Sequence, residues 1–293
     1  MREIARDVAA IKTLISNAYL VGEPGSWILL DTLTPGNARR IKEAAEARFG
    51  PGAKPQCIVL THGHFDHAGS ARSLADYWGV NVYAHRLELP YLTGRSGYPP
   101  LDPTAPGFFS AMSRLFPSST VNLGSRVMIL DTDRPLPWVH GWDCHFTPGH
   151  SPGHLSFFKK EERILLAGDA VTTMNLDSLF DTLATRQQIC RPPVPGTTNW
   201  IQARESVRKL AALRPDVIGA GHGKPMFHTA NELETFAQYF TIPASGRYVN
   251  EPVLADESGI KYVPPPAPDL VPKIAGGVFA AAIGAALLRK RRS

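Results

Sequence analysis

Thr61-His62-Gly63-His64-Phe65-Asp66-His67 follows directly on the run Gln56-Cys57-Ile58-Val59-Leu60. The run is short, apolar and partly β-branched, and reads as a buried strand ending at Thr61. The stretch behind it packs three imidazoles and a carboxylate into six residues. A single histidine is more often a structural or surface residue than a ligand. Four donors crowded into one loop would waste stability unless something pairs with them, and a metal ion is the partner that suits them.

The spacing points to two ions. His62 and His64, two residues apart, can converge on one, while Asp66 and His67 face a second. One ion needs about three protein ligands and an open position for water, so further donors must come from elsewhere. Three are available, each at or just past the end of an expected strand. His150 follows Thr147-Pro148-Gly149, Asp169 follows Leu165-Leu166-Ala167-Gly168, and His222 lies in Gly219-Ala220-Gly221-His222-Gly223. A glycine precedes each donor, and its missing side chain lets the backbone bend or approach closely. Taken singly, Asp169 could cap a helix and His222 could be a turn residue; the match as a set argues otherwise.

Outward from the loop, residues 11–21 read as a strand, Glu23-Pro24-Gly25 as a turn and 26–31 as the returning strand. Residues 37–49 read as a helix with Asn37 as N-cap and an apolar stripe of Ile41, Ala44, Ala45 and Phe49. A helix is expected over 68–78 and a strand over 80–84. Residues 86–120 are too long for an ordinary connection and read as a lid-like insertion. Strands resume at 126–130, 142–147, 154–159 and 163–168. Residues 171–198 read as loop-rich, 199–213 as helix, 216–219 as strand and 229–240 as helix. Strands and helices in two successive halves fit an α+β fold of two packed sheets covered by helices.

Four motifs together, HGHFDH at 62–67, TPGHSPGH at 147–154, LLAGDA at 165–170 and GHG at 221–223, resemble the metallo-β-lactamase-fold superfamily. The resemblance covers roughly residues 11–240 and implies a four-layer αββα sandwich with metals at one edge. It further implies that His62, His64 and His150 bind the first ion, that Asp66, His67 and His222 bind the second, and that Asp169 bridges. Zinc is the first expectation for both divalent ions, with iron or manganese as alternatives. The details are more similar to the glyoxalase II-like and lactonase-like branch, where Asp66 also accepts a proton from the nucleophile and Asp31 supports the metal loop. The glycine usual after Asp-Thr is Leu33 here. His154 repeats the Pro-Gly-His pattern but falls outside the filled ligand set, and reads as a neighbour that orients or packs. His85, His140, His145 and His228 read as structural or surface histidines.

The implied chemistry is hydrolysis of an ester, thioester or lactone by a water activated between two ions. No GxSxG elbow is present, and Cys57 sits inside a buried strand. In the insertion, Phe108, Phe109, Met112, Leu115 and Phe116 either wall the substrate pocket or simply bury a helix. Tyr91, Tyr98 and Lys224 are polar candidates for substrate contact. Two competing readings are a mononuclear iron enzyme of the persulfide-dioxygenase type, using His62, His150 and Asp169, and a membrane-tethered binding protein without turnover.

The whole chain has 293 residues, 43% of them hydrophobic and 19% charged, which suits a globular protein. Arg289, Lys290, Arg291 and Arg292 supply four of the formal +5 charges, so the remainder is near neutral and offers no nucleic-acid face. The three cysteines are far apart and outside any CxxC, which fits a reducing compartment. With no secretory h-region at the start, a cytoplasmic location is expected. The chain divides into a catalytic domain over 1–263, a Pro-rich linker over 264–273 and an apolar tail with a basic end over 274–293. Membrane contact through 274–292 is a further expectation, since fifteen uncharged residues precede the basic cluster. The sequence leaves the oligomeric state open.

Overall fold

The computed structural model describes residues 1–117 and 121–269. Seven strands form one sheet in chain order: β1 (Arg2–Ala5), β2 (Val8–Lys12), β3 (Asn17–Glu23), β4 (Ser26–Leu30), β5 (Ile58–Val59), β6 (Val82–Ala84) and β7 (Val127–Ile129). β1 to β4 pair antiparallel; β4 to β7 pair parallel, joined through α1 (Ala38–Phe49), α2 (Phe65–Ala68), α3 (Ala71–Trp78), α4 (Leu89–Leu92) and α5 (Phe108–Met112). A second sheet takes β8 (Trp142–Phe146), β9 (Leu155–Lys159), β10 (Ile164–Gly168), β13 (Val217–Ala220) and β14 (Met226–Phe227) in the order β14-β13-β10-β9-β8. Two hairpins lie outside them: β11 (Thr172–Met174) with β12 (Gln187–Cys190), and β15 (Leu254–Asp256) with β16 (Gly259–Tyr262).

Strand alternation builds the layers. Ile28 and Leu30 of β4 pack with Phe157, Ile164 and Leu166 between the two sheets. Leu29, between them, turns outward onto Ile41, Leu74 and Trp78 of α1 and α3. Leu165 and Ala167 likewise face Val207 and Leu210 of α7 (Trp200–Ala212) and Leu233 of α8 (Ala230–Gln238). Period-two burial on both faces of both sheets gives the αββα sandwich that the sequence implied.

Several local expectations need correction. Residues 11–21 are not one strand: Thr13–Ser16 is a turn in which Thr13 Oγ1 accepts from the Ile15 and Ser16 amides. Leu14 and Ile15 are apolar but exposed, which disguised it. The helix expected over 68–78 is broken at Gly69-Ser70. The His67 carbonyl, which a continuous helix would use, instead accepts from the amide and hydroxyl of Thr32. Asn37 occupies the N-cap position, but its side chain donates to Thr34 rather than capping the helix. Residues 171–198 contain β11, α6 (Leu179–Ala184) and β12, and the β15–β16 hairpin was not foreseen. The apolar tail at 274–293 lies outside the described residues. Among the described residues, no helix is long and apolar enough to cross a membrane.

Candidate metal centre

Both sheets deliver their donors from strand C-termini. β5 leads into the 61–64 loop and α2 follows it, β10 ends one residue before Asp169, β13 ends two residues before His222, and His150 lies in the β8–β9 connection. All the donors expected from the sequence meet there, in three overlapping groups: His62 with His64 and His150, His62 with His67 and Asp169, and Asp66 with His67 and His222. Within each group the donor atoms lie within 4.8 Å of one another. His64 Nδ1 stands 2.9 Å from His62 Nε2 and 3.0 Å from His150 Nε2. Asp169 joins the two sides: its Oδ2 is 3.4 Å from His150 Nε2 and 3.1 Å from His222 Nε2, and its Oδ1 is 3.4 Å from His67 Nε2.

The remaining ring nitrogens are held from behind. His62 Nδ1 meets Thr61 Oγ1, His67 Nδ1 meets Asp31 Oδ2 at 2.8 Å, His150 Nδ1 meets Thr197 Oγ1, and His222 Nδ1 donates to the Ile15 carbonyl at 2.6 Å. Each partner turns the Nε2 lone pair inward, the arrangement that orients imidazole ligands in metal sites. Asp31 also accepts from the Thr61 amide and hydroxyl, so one carboxylate locks the loop. Its turn is strained: Asp31 and Leu33 have φ of 60° and 58°, a region costing an ordinary side chain about 1–2 kcal/mol. Leu33 stands where glycine would be relaxed, and its complete burial in the outer core compensates.

The electrostatics separate two sides. Burial pushes His62 and His150 well below the ordinary imidazole range and His64 down to about 4, leaving neutral rings with free lone pairs. At His67 and His222 burial also opposes charge, but Asp169 and Asp66 outweigh it and raise both. Asp169 in turn is held well below the usual carboxylate range, because His222 and His67 outweigh its burial. The carboxylates thus demand positive charge at the centre. His67 Nε2 and Asp169 Oδ1 are both buried without a hydrogen-bond partner and face each other, a costly pairing unless a cation serves both. Gly221 leaves the room: a Cβ there would lie 2.0 Å from Asp169 Oδ1 and 2.6 Å from His67 Cε1. Neutral imidazoles, carboxylates, orphaned lone pairs and the space between them fit divalent metal ions.

His154 behaves as the sequence suggested. Its Nε2 accepts from the Asp169 amide, its Nδ1 meets Thr147 Oγ1, and burial lowers it to about 3. It therefore stays neutral and positions Asp169. Three supports escaped the sequence. Asn17 Nδ2 donates to the carbonyls of Ala220 and Gly223, bracketing His222. Thr197 orients His150. Glu88, fully buried, receives the Gly63 amide on Oε2 and the Ser151 hydroxyl and Gly153 amide on Oε1, tying the two histidine loops together. Burial raises it to about 7 despite these donors. Its lone charge in the apolar run Leu87–Leu92 was the available signal.

A cavity of about 280 Å³ opens over His64, Asp66, His150, Asp169 and His222. Phe109 and Phe116 of the insertion line it with Tyr98 and several prolines. Phe108, Met112 and Leu115 are not among the lining residues, and Leu115 is exposed. Tyr98 accepts from the Gly63 amide and packs against His64. Tyr91 is buried behind Tyr98, and Lys224 lies outside the lining. These two placements correct the expectation of substrate contact.

The sequence pattern of the Metallo-beta-lactamase superfamily matches residues 11–222, which begin within β2 and end on His222. The chain belongs to the metallo-β-lactamase superfamily. Among superfamily relatives, it is 40% identical over 228 residues to the probable metallo-hydrolase YflN of Bacillus subtilis (strain 168), spanning 76% of this chain and 86% of YflN. It is 26% identical over 121 residues to the hydroxyacylglutathione hydrolase GloC of Haemophilus influenzae, spanning 39% of this chain and 49% of GloC. TTHA1623, solved in a di-iron-bound form, superposes with a TM-score of 0.51 at 26% identity, covering 79% of this chain and 96% of that one.

Proposed function

We propose that the protein is a binuclear metal-dependent hydrolase acting on an ester, thioester or lactone of a small molecule. The observation that carries this is the bridging position of Asp169, which faces His67 through Oδ1 and both His150 and His222 through Oδ2. His62, His64 and His150 would hold one ion, Asp66, His67 and His222 the other, with Asp169 shared. The di-iron relative and the hydroxyacylglutathione hydrolase support the ion pair and the thioester-type substrate respectively.

Divalent ions held in this site, zinc, iron or manganese, would supply Lewis acidity toward water and a substrate carbonyl. The chain supplies the rest. Asp66 lines the cavity with Oδ2 turned toward His222 and His67, which leaves Oδ1 to take the proton of the attacking water. Tyr98 and the Phe109–Phe116 wall exclude solvent and seat an apolar acyl or leaving group. Ser113, the one serine of the lining, donates its hydroxyl to the Ser110 carbonyl, so in this reading water rather than serine is the nucleophile. The presence of a second donor group beyond His62, His64 and His150 favours two ions over the mononuclear alternative.

The test is a panel of ester, thioester, lactone and β-lactam substrates on metal-loaded protein. Turnover that is lost with chelation and restored by metal supports the reading. A fully loaded sample inert on the whole panel contradicts it.

A further inference from the structure

Apart from the histidines, Arg114 is the one cationic side chain among the described residues lining the cavity. It lies just beyond α5 at the edge of the lining, with its side chain 24% exposed. Its Nη1 donates to the Ala111 carbonyl at 3.1 Å, which fixes the guanidinium plane. Nε and Nη2 then present a fork, and that fork is filled by a carboxylate. Nε donates to Asp269 Oδ2 at 3.1 Å, and Nη2 donates to Oδ1 at 2.8 Å and Oδ2 at 2.9 Å. Asp269 arrives from 155 positions away, at the end of a Pro-rich segment that Arg247 Nε holds through the Pro264 carbonyl at 2.6 Å.

We propose that Arg114 is the specificity residue for a carboxylate on the substrate, and that Asp269 is its tethered competitor. This rests on reading the cavity as the substrate site, and it narrows the substrate to an ester, thioester or lactone with an apolar body and a free carboxylate. The chemistry follows from the surroundings. On that reading Asp66 and Asp169 are engaged at the metal centre and the remaining wall is largely apolar, so outside the metal centre Arg114 is the group that distinguishes an anionic substrate from a neutral one. A planar guanidinium binds carboxylates in the two-point geometry already seen with Asp269. The two side chains keep 24% and 25% of their surface in solvent, so water reaches and screens the pair and a ligand carboxylate can compete for the fork. A short tether gives its carboxylate an effective concentration in the millimolar range, so a ligand carboxylate of comparable affinity displaces it.

The experiment measures equilibrium binding of phenylacetate, with phenylacetamide as the neutral control, to the metal-loaded full chain by ligand-observed NMR. It needs no turnover, so its outcome is separate from that of the substrate panel. Asp269→Ala is expected to tighten phenylacetate by about 3- to 10-fold and leave the amide unchanged. Arg114→Met is expected to weaken phenylacetate by about 10-fold with no change for the amide. In the Arg114→Met background, Asp269→Ala is expected to have no effect. Any contact of the acid with the metals is common to all variants and cancels. Circular dichroism checks that each variant is folded, and Arg114→Lys, which keeps charge but not the fork, is expected to fall between. The proposal is overturned if Asp269→Ala leaves phenylacetate binding unchanged, if it shows no phenylacetate binding at all, or if Arg114→Met weakens acid and amide alike.

Discussion

Gly221→Ala adds one methyl group to the centre without replacing a donor. The Gly221 backbone is not in the left-handed region, so alanine suits it locally and the effect is steric. The new Cβ would stand 2.0 Å from Asp169 Oδ1, 2.6 Å from His67 Cε1 and 3.2 Å from Asp169 Cγ. The first separation is more than 1 Å inside ordinary contact distance. Either the 220–223 turn moves, which Asn17 resists through its two bonds to Ala220 and Gly223, or the Asp169 carboxylate swings aside. Forced overpacking costs about 1–3 kcal/mol, whereas rotating a carboxylate costs less, so the carboxylate yields. Disturbing a residue that merely orients a ligand lowers metal affinity about 10- to 100-fold. If Asp169 is the shared ligand, displacing it should reach at least the upper end of that range, about 2.7 kcal/mol at 1.36 kcal/mol per decade. Both ions are affected, since Asp169 faces both sides. The assay is competition with a chromogenic chelator, with circular dichroism and thermal melting on the apo form. We expect a folded variant that loses its metal to the chelator at least 100-fold more readily. Wild-type affinity for both ions in Gly221→Ala would refute the assignment of Asp169 as the bridge.

Two other perturbations probe the supports. His154→Ala removes the acceptor of the Asp169 amide, and should lower metal affinity about 10- to 100-fold while the protein stays folded; unchanged affinity would show that His154 only packs. Glu88 has a folded-state value of about 7 against an ordinary 4.5, so between those limits the folded chain keeps a proton that the unfolded chain has released. The stability of wild type relative to Glu88→Gln, which does not titrate, should therefore fall as pH rises from 4.5 through about 7. A pH-independent difference in denaturation midpoints would contradict that burial effect.

The centre was legible because its donors carry local marks: crowding in residues 62–67, and a glycine before His150, Asp169 and His222. Those glycines proved to serve close approach, as Gly221 against Asp169 makes plain. The layered core was legible through the order of strands and helices in two successive halves and the apolar stripe of 37–49. What escaped was set by tertiary pairing. The Thr13–Ser16 turn hides behind Leu14 and Ile15, which look like strand residues, yet its Ile15 carbonyl holds His222. Glu88 contacts Gly63, Ser151 and Gly153 at separations of 25, 63 and 65 positions, pairings that no local pattern announces. The break at Gly69-Ser70 depends on Thr32 capturing a carbonyl from across the loop. Arg114 and Asp269, 155 positions apart, were likewise invisible as a pair.

Elemental analysis of the purified full chain, alongside His64→Ala and His222→Ala, tests the central claim most directly. His64 belongs to one donor group and His222 to another, and they share no group. The account predicts about two divalent ions per wild-type chain and about one in each variant, each variant emptying a different side of Asp169. One ion in the wild type, lost entirely in His64→Ala and untouched in His222→Ala, would contradict it.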